Sequence, residues 1–174
     1  GKNFVLNDLT HDGGLTAIRI EGPINSVDQR LNRLSKELDL LDQELSILDN
    51  EQSNIFWSRT KNLEVFKSLK SNLLRIVVPI SETLQVIQKF KNYEIKYFID
   101  WGGSLIWASF DQLNIKILNE IKDIVKKHQG YITLIKVEED LKASADIFTI
   151  DPIKYKISEK IKRSFDPKRI FNPG

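Results

Sequence analysis

Residues 73–135 read LLRIVVPI SETLQVIQKFKNYE IKYFI DWGG SLIWASF DQLNIKILNEIKDIVKKHQG YITLI, and the alternation of short apolar runs with longer amphipathic ones decides the fold. The segment 73–80 is dense in β-branched residues and reads as a strand. Ser81 is placed to cap a helix running to about Lys91, and 95–99 forms the next strand. Asp100-Trp101-Gly102-Gly103 gives a tight turn before a strand over 104–110. Asp111 then caps the longest helix, whose apolar positions Leu113, Ile117, Ile121, Ile124 and His128 recur every three or four residues. Gly130 is the expected left-handed stop, and 131–135 the last strand. The order βαββαβ predicts an α+β, ferredoxin-like antiparallel sheet with its helices mainly on one face.

Upstream, 4–9 and 15–20 read as two strands around His11-Asp12-Gly13-Gly14, whose Asp-Gly core suits a hairpin turn. His11 is then a turn residue. Ser26 and Gln29 make a capping box for a helix to about Leu38. The hairpin and helix are expected to extend the four-stranded sheet or to flank it. Residues 37–51 carry six acidic residues and no basic one among their leucines, and read as a connection with helical pieces on a solvated surface. Asp49 caps a further helix through Phe56 and Trp57 toward Leu69.

The chemistry is bounded by what the chain lacks. With 174 residues, one domain with a real core is favoured. A net charge of +2 makes no case for nucleic acid. The absence of cysteine removes disulfides and thiol chemistry, and His11 and His128 are too far apart in sequence to form a ligand pair at helical spacing, so no metal site is expected. No run approaches the roughly 20 apolar residues of a membrane span. With no methionine and an opening at Gly1, the chain reads as part of a longer product.

At the other end, 152–165 forms a helix with Ile153, Ile157, Ile161 and Phe165 on one stripe. Seven basic residues between Lys154 and Arg169 face only Glu159 and Asp166. They make either a solvated face or a patch for an acidic partner. The chain closes on Phe165-Asp166-Pro167-Lys168-Arg169-Ile170-Phe171-Asn172-Pro173-Gly174. Its two prolines push Asp166 and Asn172 out of helical geometry, which turns the helix into a stiff extended arm. The plain alternative is a terminus that buries Phe165, Ile170 and Phe171 on its own core.

This closing phrase resembles the C-terminal signature of FAD-linked oxidases of the vanillyl-alcohol oxidase type. Ile99-Asp100-Trp101-Gly102-Gly103-Ser104-Leu105 is similar to the Asp-Trp-Gly-Gly turn of the FAD-binding, E-type subunit of bacterial glycolate oxidase. Weaker matches follow in the family's order, at 16–22, Phe56-Trp57, Leu74-Arg75-Ile76 and 128–134. The resemblance implies that 1–174 is the C-terminal cap or substrate domain of a flavin-dependent 2-hydroxy-acid oxidoreductase. Such a domain covers the flavin and is incomplete alone, with most of the FAD held by a domain upstream. It implies an upstream FAD-binding domain, a sister flavoprotein and iron–sulfur subunits as partners. It further implies a small 2-hydroxy acid such as glycolate as substrate and a place in the cytoplasm, or peripheral to the inner face of the membrane.

Asn172 and Trp101 are the flavin-contact candidates and Arg75 the substrate-carboxylate candidate, since a guanidinium forms a planar bidentate pair with a carboxylate. Arg75 could instead pair with surface acid, and Trp101 could fill the core. No catalytic base announces itself. Gly13-Gly14 and Gly102-Gly103 are isolated pairs in turns and form no phosphate cradle. The competing reading is a ferredoxin-like interaction module binding a protein or nucleic-acid partner through its sheet or basic terminal helix.

Overall fold

The computed structural model describes residues 2–7, 15–39, 45–67, 72–139, 141 and 152–171. The chain divides into two compact units, Gly1–Ser68 and Leu69–Gly174, where length alone favours one. All strand pairs are antiparallel. No helix among the described residues is long and apolar enough to cross a membrane.

The second unit carries β4 (Asn72–Val77), α3 (Thr83–Phe90), β5 (Ile95–Asp100), β6 (Leu105–Phe110), α4 (Ile115–Lys127), β7 (Tyr131–Lys136) and α5 (Pro152–Phe165). Its sheet has the order β5-β6-β4-β7, the ferredoxin-like arrangement that the βαββαβ pattern predicts. Alternation along the strands sends Leu74, Ile76, Ile106, Ala108, Phe110, Ile132 and Leu134 to one face, where they are buried against Val86, Ile87 and Phe90 of α3 and Leu118, Ile121 and Val125 of α4. Each large side chain fully buried there contributes about 1.5–3 kcal/mol over exposure. Tyr93 ties the α3–β5 loop to α4 by donating to Glu120 at 2.9 Å.

Several boundaries differ from the sequence reading for identifiable reasons. Pro79 ends β4 early, and a 3-10 turn over Ile80–Glu82 precedes α3, so Ser81 caps nothing. Asn114 caps α4 instead of Asp111, accepting from the Ile117 amide at 2.9 Å. The buried stripe of α4 is accordingly Leu118, Ile121 and Val125, with Leu113, Ile117 and Ile124 at its margin. The left-handed residue after α4 is Gln129, at φ 58°, not Gly130. Gly130 is needed for another reason: a Cβ there would stand 2.6 Å from the Val77 carbonyl and 2.8 Å from Val125.

The first unit holds β1 (Lys2–Asn7), β2 (Leu15–Ile20), α1 (Ile24–Asp39), β3 (Leu45–Leu48) and α2 (Asn50–Lys61). The hairpin strands pair from Lys2–Ile20 to Asn7–Leu15; the turn assigned to His11 lies outside the described residues. The hairpin does not extend the four-stranded sheet. It forms a sheet of its own, β2-β1-β3, with a strand drawn from the acidic segment that reads as helical connection. The Ser26–Gln29 capping box is not formed, because α1 starts at Ile24, just after Pro23. At 16 residues α1 also exceeds the 13 of α4. The Asp49–Gln52 box at the start of α2 forms with both of its reciprocal bonds. That helix stops at Lys61, well short of Leu69, where Leu63 turns left-handed.

Candidate functional site

Register places Arg75 on the sheet face away from α3 and α4, directly across from Trp107 on β6 and Thr133 on β7, with Phe98 of β5 beyond Trp107. All four are half-buried. Above this row the β5–β6 turn curls back, and the Arg75 guanidinium carbon lies 4.9 Å from the centre of the Trp101 ring. The two residues that the sequence singles out for different roles therefore meet. Among the described residues Arg75 has no hydrogen bond or ion pair, so none of their carboxylates is the surface acid of the alternative reading. A half-buried guanidinium faced by an indole, with its donors uncommitted among the described residues, is chemically equipped to take a planar anion.

The turn that delivers Trp101 is built from local bonds. Asp100 accepts from the Trp101 amide at 2.7 Å, and the Ser104 hydroxyl donates to the Trp101 carbonyl at 3.2 Å. Trp101, Gly102 and Gly103 all have positive φ, at 53°, 62° and 114°. For the two glycines this is the role expected of them. For an indole-bearing residue it costs roughly 1–2 kcal/mol, a sum comparable to the ~0.5–2 kcal/mol of a cation–π contact. Trp101 does not fill the core, being 56% exposed. A Cβ on Gly102 would meet nothing within 4 Å, so Gly102→Ala isolates the dihedral term. It is expected to lower unfolding free energy by about 1 kcal/mol, read as a shift of the denaturant midpoint at unchanged slope.

α5 ends at Phe165, just before Pro167, but the segment after it is a turn and not the extended arm that the prolines predict, because the Arg169 amide donates to the Asp166 carbonyl at 3.1 Å and Arg169 is left-handed at φ 51°. Asn172 lies outside the described residues. Sequence reasoning missed the role of Asp166, which is 8% exposed. Its two oxygens accept from the Ile170 and Phe171 amides at 2.8 and 3.0 Å, and Lys162 reaches it at 3.3 Å. An aspartate four residues before an arm amide, just past a helix end, was the available signal. Burial raises the Asp166 pKa, but the two amides and then Lys162 outweigh it, and the net value falls below the ordinary carboxylate range. A depressed folded-state pKa means that the clamp's stabilisation is complete above the unfolded value and is lost as pH falls through the folded one. Asp166→Ala should accelerate amide hydrogen exchange at Ile170 and Phe171 at neutral pH. The parent should show that acceleration only below the usual carboxylate range.

The alternative in which the arm packs on its own core fails, since Phe165 is 85% exposed and Ile170 and Phe171 are also exposed. The stripe Ile153, Ile157 and Ile161 on α5 is likewise exposed. Part of the basic face is committed, with Arg163 and Arg169 both meeting Glu159. His128 closes α4 with Nδ1 2.6 Å from a Glu82 carboxylate oxygen. No family model matches the chain, and no curated protein matches it.

Proposed function

We propose that this chain is the cap domain of a flavin-dependent 2-hydroxy-acid oxidoreductase subunit of the glycolate-oxidase type, incomplete by itself. The observation that carries the reading is Arg75, a half-buried guanidinium without an acidic partner among the described residues, held against the Trp101 indole. In this role Arg75 grips the substrate carboxylate, while Trp101 and Trp107 wall the space beside it. Asn172 supplies a carboxamide at the end of the arm. Bound FAD would supply the acceptor for a hydride equivalent.

The fit to a flavin is partial in an informative way. An isoalloxazine ring suits a surface with an exposed indole and fixed donors. The pyrophosphate has no counterpart among the described residues, because Gly102 and Gly103 sit in a 3-10 turn between two strands instead of opening a helix. Most of the cofactor is therefore assigned to an upstream domain of the same polypeptide. The exposed apolar stripe of α5 and the arm fit the same assignment, since a contiguous apolar surface of this kind marks an interaction face. The sister flavoprotein and iron–sulfur subunits belong to the same proposal.

The test is to purify the polypeptide with its upstream stretch and record its visible spectrum. Yellow protein bleached by glycolate or another small 2-hydroxy acid supports the reading. A colourless, flavin-free protein overturns it. The α5 stripe also favours a second reading as a protein-interaction module, which predicts a defined complex without flavin. A nucleic-acid version of it predicts affinity that falls steeply with salt, and a flat oligonucleotide titration at low salt dismisses it.

A further inference from the structure

The Trp101 turn is held from outside by one side chain that no reaction step requires. Thr83, the first residue of α3, is 3% exposed, and its hydroxyl donates to the carbonyl of Gly103. A buried hydroxyl meeting a carbonyl in another element fixes the distance between the two elements. Here it joins the start of α3 to the far end of the turn that carries the indole. Glu82, immediately before Thr83, is in turn joined to His128 at the end of α4. Ile80 lies where a Cβ on Gly103 would point, 3.3 Å away, so the same turn is also backed by apolar contact.

Taken together, these contacts converge on one end of β4, the strand that bears Arg75. The indole itself is exposed and its backbone is left-handed, and its ring meets the Arg75 guanidinium. Besides the local bonds of Asp100 and Ser104, the place of such a ring depends on how its turn is backed from the neighbouring element. We infer that Thr83 is a positioning residue, holding the Trp101 turn through the Gly103 carbonyl so that the indole stays over the Arg75 guanidinium. Its consequence for turnover rests on the flavoprotein reading above; the positioning itself does not.

Three variants test this. Thr83→Val removes the hydroxyl at nearly constant shape, Thr83→Ser keeps it, and Trp101→Phe identifies which part of the aromatic signal belongs to Trp101. In the full chain, Thr83→Val is expected to change tryptophan fluorescence and near-ultraviolet dichroism. Thr83→Ser should match the parent, and the Thr83→Val change should vanish in the Trp101→Phe background. In the longer flavoprotein, Thr83→Val should raise KM for the hydroxy acid by roughly 2- to 10-fold, the worth of one neutral hydrogen bond, at nearly constant kcat. If Thr83→Val lowers stability alone and leaves the Trp101 signal as in the parent, the hydroxyl is structural and the inference is overturned. A colourless longer polypeptide overturns the flavin reading instead, and the Trp101 signal then decides the positioning by itself.

Discussion

Arg75→Ala in the longer flavoprotein should raise KM for the 2-hydroxy acid by about 10- to 100-fold while flavin content stays that of the parent. The magnitude follows from removing a hydrogen bond between two charged groups, worth about 1.5–3 kcal/mol. The carboxylate keeps its charge while the adjacent C2 is oxidised, so a pair made to it is held nearly alike in ground and transition states, and the loss falls mainly on KM. Arg75→Lys keeps the charge but not the planar fork, nor the guanidinium stacked 4.9 Å from the Trp101 ring, and should recover only part of the loss. Steady-state kinetics with protein matched for flavin content make the measurement. An unchanged KM in Arg75→Ala removes Arg75 from the substrate site.

The largest stability loss is expected from Gly130→Ala. The position is not left-handed, so no dihedral penalty arises, yet the added methyl would enter a space occupied by Val78, the Val77 carbonyl and Val125. The Val77 carbonyl is backbone in β4, and it can yield only by moving the central strand. Overpacking of this kind costs roughly 1–3 kcal/mol, and the involvement of a strand carbonyl puts the expected value at the upper end. At about 2–4 °C per kcal/mol for a chain of this size, thermal unfolding should fall by roughly 6–12 °C. Gly102→Ala, where a Cβ meets open space, is the matched control. Equal effects of the two substitutions would contradict the crowding argument.

The four-stranded sheet was legible because its strands are short, apolar and rich in β-branched residues, and because the helices between them repeat at a different period. β3 was not legible. It is four residues long, it lies among leucines and acids whose spacing also suits a helix, and its pairing with β1 depends on chain about forty residues away. Caps were misassigned where several polar residues follow one another, since Asp111 and Asn114 are both good caps and only packing of the α4 stripe chooses between them. For the site, sequence nominated Arg75 and Trp101 separately, and their meeting follows from the register of β4 against β6 and the backward curl of one turn. Thr83 left no trace in the sequence, because a buried threonine at a helix start looks like any other. Asn172 remains the candidate of the closing phrase, and Asp166 is the residue of that phrase whose bonds define the arm.

β4 emerges from the ribosome before either of its neighbours. It carries Leu74 and Ile76 of the core and must wait for β6 and then for β7, which ends at Lys136, roughly sixty residues after Val77. Synthesis at about 5–20 residues per second leaves this apolar strand without β6 for about 2–7 s and with an open edge for about 3–12 s. Within this sheet the β5–β6 hairpin closes by local contacts. During that interval the nascent polypeptide presents a sticky central strand to chaperones, and slowing translation within α4 should prolong its capture by them.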